Sequence, residues 1–171
     1  SYLIVCHIGY MIGGLGIFTV AALTGAVFYL IHDIVVKTNL FLISGLVYKI
    51  SGELNMKKMG GIYSNYPLLS LLIAIPLFSL IGIPPLSGFW PKINLFQESF
   101  ASSDYFLLGS LIFGSFITLF VITRFWSEAF WKNMPTEERK PYIRYYDMMG
   151  KYEKAFIVIP IVFLSFISLY I

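Results

Sequence analysis

The chain has 171 residues, 58% of them hydrophobic and 12% charged, with a formal net charge of +3 and a mean hydropathy of +0.79. Soluble domains carry about 25% charged residues, so this share together with 18% aromatics reads as a polytopic membrane protein of all-α class. The basic residues are sorted by position, which points to membrane topology and away from nucleic-acid binding, and the single cysteine, Cys6, excludes an internal disulfide or a cysteine-rich metal site.

Position 1 is Ser and an apolar segment follows at once, without the basic and small-residue flanks of a signal peptide. The expectation is a piece of a longer membrane chain. About 20 apolar residues cross a bilayer as a helix, and five segments qualify, over roughly 2–18, 22–48, 67–97, 106–125 and 155–171.

The first span carries Cys6, expected as a small packing residue, and His7, expected as a packed, hydrogen-bonded histidine. The second, "FYLIHDIVVKTNLFL", holds His32, Asp33 and Lys37 near its centre. A central Asp or Lys costs roughly 2.5–3.5 kcal/mol on insertion scales. Asp33 and Lys37 are four apart, on one helical face, and partly neutralise each other; His32 is the side chain that changes charge near neutral pH. The plain alternative is a structural ion pair beside a packed histidine. Residues 49–66, with Gly52, Gly60 and Gly61, read as a polar loop.

The third span, 67–97, would be about 46 Å long as one straight helix, too long for a core of about 30 Å without tilt or a break. The break is written in "FSLIGIPPLSGFWPK". Pro84 and Pro85 cannot donate to the carbonyls of Leu80 and Ile81, and Pro85 drives its predecessor out of the α region. Gly82 and Gly88 relieve the crowding of such a turn. Helix is expected to stop near Ile81 or Gly82 and to restart at Gly88, which puts Pro91 third in the new helix, where no hydrogen bond is lost. Lys92 then falls in the first turn of the second half-helix, where the positive end of the macrodipole and desolvation both act against an ammonium. Such a lysine suits proton uptake and release. Non-helical backbone in a bilayer needs protein or a water-filled cavity to satisfy it, and broken helices recur in transporters; a proline kink packed on its neighbours is the plain alternative.

After the fourth span, residues 126–154 mix Trp, Tyr, Lys and Arg around Pro135 and Pro141 and read as an interfacial connector. The organisation expected is a four-helix part over 1–125, the connector over 126–154, and a last helix over 155–171. Lys49, Lys57 and Lys58 lie between spans two and three; Arg124, Lys132, Arg139, Lys140, Arg144, Lys151 and Lys154 lie between four and five. The other inter-span segments carry none. By the positive-inside rule the loops 49–66 and 126–154 are cytoplasmic and the C-terminus lies outside. The two remaining basic residues, Lys37 and Lys92, are inside the membrane.

No P-loop, dinucleotide motif, metal-ligand spacing or nucleophile elbow is present. A pathway is expected, and not an enzyme; no metal and no cofactor are implied.

"HDIVVKTNLFLISG", "MKKMGGI" and "SLIGIPPLSGFWPK", in this order and spacing, resemble the antiporter-like membrane subunits shared by respiratory complex I and Mrp-type multisubunit cation/proton antiporters. "IGYMIGGLG" fits the preceding segment, the likeness covers residues 1 to about 130, and "FWSEAFWKN" tilts it towards the D-type subunit of the Mrp antiporters. The resemblance implies the last five helices of a subunit built from two inverted repeats, with 67–97 as the second broken helix. It places His32 and Lys37 at positions of the conducting half-channel and Lys92 at the terminal proton-exchange position, a glutamate in some members. Asp33 departs from the pattern, which more usually has a second histidine there, and the first repeat is missing.

The function this implies is part of a plasma-membrane Na+/H+ (or other monovalent cation/H+) antiporter subunit. It would conduct protons through Lys92, Lys37, His32 and Asp33, with other membrane subunits and the lipid bilayer as partners. A proton-pumping subunit of a complex I-like dehydrogenase or a hydrogenase, and a non-conducting scaffold subunit, are the alternatives.

Overall fold

The computed structural model describes residues 2–52, 60–132 and 145–170, and every regular element among them is helical. In chain order these are α1 (Tyr2–Ile17), α2 (Val20–Ser51), α3 (Ile62–Asn65), α4 (Pro67–Ile81), α5 (Phe89–Ala101), α6 (Tyr105–Trp126) with a π-helical turn over Ser127–Trp131, α7 (Tyr145–Met148) and α8 (Lys151–Tyr170).

The helix ends follow local chemistry. Thr19 caps α2, its side chain accepting from the amide of Ala22 at 3.1 Å, so the chain turns between α1 and α2 within two residues. Asp104 does the same for α6 through the amide of Leu107. Pro67 opens α4, where its missing N–H costs nothing. Gly52, at φ 71°, ends α2 in the left-handed conformation, with its amide 2.8 Å from the Tyr48 carbonyl.

Two expectations need correction here. The segment 49–66 is not all loop: α2 carries on to Ser51 until Gly52 stops it, and residues 62–65 form a helical turn. Residues 53–59, and 133–144 of the expected connector, lie outside the described residues. The last helix starts at Lys151, before the apolar run at 155 begins.

Helix α2 is the central post, packed against α1, α4, α5 and α8. One apolar core, with Val36, Ile43, Leu46, Ile73, Leu77, Ile122, Phe130 and Ile161, joins α2, α4, the end of α6 and α8. A second, of Tyr10, Tyr29, Leu95 and Leu111, joins α1, α2, α5 and α6. The outer surface is apolar as well. On α6, Phe106, Phe113, Phe116 and Phe120 are all mostly exposed, a contiguous apolar face that a soluble monomer does not present. Among the described residues, three helices are long and apolar enough to cross a membrane, over Val20–Ser51, Tyr105–Trp131 and Lys151–Leu169, beside shorter apolar helices at Leu3–Ile17 and Pro67–Ile81. The fold is a polytopic membrane helical bundle whose third span is discontinuous.

Candidate functional site

The interruption between α4 and α5 organises the site. Helix α4 ends in a Schellman arrangement: Gly82, at φ 86°, directs its amide to the Ser79 carbonyl at 3.0 Å, and the Ile83 amide reaches Phe78 at 3.3 Å. The Pro84–Pro85 bond is cis. Helix α5 resumes at Phe89 with Gly88 in the cap position. The carbonyls of Leu80 and Ile81, which Pro84 and Pro85 cannot serve, find another donor: the ammonium of Lys92, at 3.2 Å and 2.8 Å.

Lys92 is 4% exposed. Its stem begins on the first turn of α5, but its head reaches back to the C-terminal carbonyls of α4 and lies 5.5 Å from the centre of the Tyr10 ring. Helix position alone sets this lysine against the positive end of its own helix. The head instead meets the negative end of the preceding one, because the break brings the two half-helix ends together.

Gly88 makes that approach feasible. A Cβ there would lie 1.9 Å from the Ser79 carbonyl oxygen and 2.8 Å from His32 Nε2. Its φ of −67° is ordinary, so closeness of the two half-helices, and not backbone strain, requires the glycine.

A second cluster lies between α1 and α2. Asp33 accepts from Lys37 Nζ at 2.5 Å through one oxygen, and its other oxygen lies 2.7 Å from His7 Nδ1. His7 is fully buried, and Lys37 keeps about a fifth of its side chain exposed at 21%. His7 is the packed, hydrogen-bonded histidine expected, and its partner is the Asp33 carboxylate: 26 residues separate the two, and no local periodicity joins them. Cys6 is a packing residue whose thiol contacts the Gly114 carbonyl at 3.7 Å.

His32, 2% exposed, faces the break. Its Nδ1 is 2.9 Å from Ser87 Oγ. Ser87 also contacts Ser79 Oγ on α4 at 3.1 Å and donates to the Ser168 carbonyl on α8. Tyr29 lies between the clusters, its ring 5.8 Å from that of His7, 6.1 Å from His32, and stacked at 5.2 Å on Tyr10. Among the described residues, the Tyr29 hydroxyl and His7 Nε2 are buried without a hydrogen-bond partner. His32, Asp33, Lys37 and Lys92 are therefore gathered around one α1–α2–α5 seam, with His7 and Tyr29 between them.

These features define the class: a multi-pass helical membrane protein with an interrupted helix and a buried set of ionisable side chains at the interruption. The profile described as "NADH:quinone oxidoreductase/Mrp antiporter, TM" matches residues 1–118, and the chain belongs to that family. It is 40% identical over 140 residues to the D-type Na(+)/H(+) antiporter subunit of Alkalihalophilus pseudofirmus, covering 81% of this chain and 28% of that protein. Against the corresponding D-type subunit of Bacillus subtilis it is 35% identical over 130 residues, covering 76% and 26%. A chain in the structure of the Mrp complex from Dietzia sp. has the same fold, with a TM-score of 0.76 at 21% identity, over 95% of this chain and 37% of that one. The chain thus spans roughly a quarter of the length of these curated relatives.

Proposed function

We propose that the chain is the C-terminal proton-conducting part of an antiporter subunit that exchanges protons for Na+ or another monovalent cation within a multisubunit membrane complex. The observation that carries this reading is Lys92: an ammonium held at 4% exposure on the carbonyls that two prolines leave unserved. Those carbonyls stabilise the charged form, and the open backbone of the break offers hydrogen-bonding groups to water. Lys92 exchanges the proton, while His32 and the Asp33–Lys37 pair, with His7, carry protons towards it through intervening water. Residues 1–125 form the conducting part, the segment from 126 up to α8 an interfacial connector, and α8 (Lys151–Tyr170) the last helix. In the plasma membrane the basic segments 49–66 and 126–154 face the cytoplasm and the C-terminus lies outside, as the charge sorting supports.

The family also includes subunits of NADH:quinone oxidoreductases, so a proton-pumping role in such a complex is the second reading; it uses the same residues with different partners. A scaffold role is favoured only by the His7–Asp33–Lys37 cluster, in which one carboxylate ties α1 to α2 through His7 Nδ1 and the Lys37 ammonium. Replacing Lys92 with Ala in the complete complex separates conduction from scaffolding. Conduction requires loss of proton/cation exchange in inverted vesicles with assembly retained. A scaffold role requires normal exchange in whatever complex still assembles. The subunits that purify with the native complex distinguish the antiporter from the dehydrogenase.

A further inference from the structure

The donors and acceptors around Ser87 fix more than its own position. Its hydroxyl is 2% exposed and meets His32 Nδ1, Ser79 Oγ and the Ser168 carbonyl. A serine hydroxyl has one hydrogen to give, and a carbonyl only accepts. The Ser87 hydrogen therefore goes to Ser168, and Ser87 Oγ is left as an acceptor towards its other neighbours. Ser79 donates to it without conflict. A ring nitrogen 2.9 Å from an oxygen with no hydrogen to offer must itself carry one.

We propose that Ser87 is a positioning residue that holds neutral His32 as the Nδ1–H tautomer and leaves Nε2, beside the Gly88 cap, as the atom that takes up and returns a proton. Nε2 lies where a Gly88 side chain would stand, next to the first turn of α5. The positive end of the α5 dipole suits a lone pair there and opposes an N–H. The inference rests on the proton-conducting reading and assigns His32 a one-sided role within it. A proton from water forms an N–H bond at Nε2 and gives the imidazolium; the same bond breaks when the proton returns to water, which restores the starting tautomer. Exit through Nδ1 is closed, because Ser87 Oγ would have to pass its own hydrogen to a carbonyl that cannot carry it onward. His32 is thus a proton store opening onto the break. Its reach extends to α8, since Ser168 directs the Ser87 hydroxyl. The titratable or charged groups around it are Tyr29 and Asp33 on α2, Lys92 on α5 and His7 on α1; α4 and α8 contribute the Ser79 hydroxyl and the Ser168 carbonyl to this cluster.

The test is 15N solid-state NMR on the assembled complex with 15N-labelled histidine, the His32 signals being those lost in His32→Gln. The expected result is a neutral ring with Nδ1 protonated and Nε2 bare. Ser87→Ala should remove that preference, Ser87→Thr should restore it, and Ser79→Ala, which deletes only a donor, should leave it unchanged. A neutral His32 protonated at Nε2 in the unmodified complex would overturn the proposal, as would an unaltered tautomer in an assembled Ser87→Ala complex. Neither outcome depends on transport, so failure here is distinct from failure of the proton-conducting reading, which exchange by Lys92→Ala decides.

Discussion

Lys92 Nζ lies 2.8 Å from the carbonyl oxygen of Ile81, eleven residues earlier in the chain and on the other side of the helix break. The side chain therefore has two tasks at one point: it satisfies backbone that the prolines orphan, and it holds a charge away from bulk solvent. Substitutions that separate those tasks are the informative ones.

The close packing of the half-helices makes Gly88 irreplaceable. Gly88→Ala places a methyl group against the Ser79 carbonyl, backbone that cannot rotate away, and overpacking of this kind costs about 1–3 kcal/mol. Thermal inactivation of the purified complex should move to lower temperature. Gly109→Ala is the control: a Cβ there meets nothing within 4 Å, and removing a glycine from a helix interior gains roughly 0.5–1 kcal/mol.

Asp33 holds two partners at once, the Lys37 ammonium and His7 Nδ1. Asp33→Asn should destabilise the complex strongly, because it leaves Lys37 and His7 without their shared carboxylate. Breaking a fully buried pair costs about 3–5 kcal/mol, and the value here should be smaller because Lys37 is partly exposed. Adding Lys37→Met should recover much of the loss in thermal inactivation, whereas no recovery would mean that the two side chains act independently.

The proposed orientation is open to a labelling test. Ser102 lies exposed in the turn between α5 and α6, and Gly150 lies exposed ahead of α8. A membrane-impermeant maleimide added to intact cells should modify Ser102→Cys and spare Gly150→Cys, with the pattern reversed in inverted vesicles. The opposite pattern would invert the topology.

How much of this was legible in the sequence depended on distance along the chain. Pro84, Pro85 and the flanking glycines announced the break, because proline acts on its own peptide group and on the carbonyl four residues back. Asp33 and Lys37 announced their pairing through helical spacing. His7–Asp33 and Ser87–Ser168 did not, since 26 and 81 residues separate the partners and only helix packing joins them. The direction of the Lys92 head was hidden for the same reason: helix position gave its stem, but the fold of the break decided which helix end it reaches.

The most direct measurement is proton/cation exchange by inverted vesicles containing the complete complex with Lys92→Arg. A guanidinium keeps the charge and can still donate to the Leu80 and Ile81 carbonyls, but it does not release a proton at any working pH. The expected result is an assembled complex with exchange reduced to background. Full exchange from the arginine variant would show that Lys92 serves only to cap α4 and would contradict its role as the proton-exchanging group.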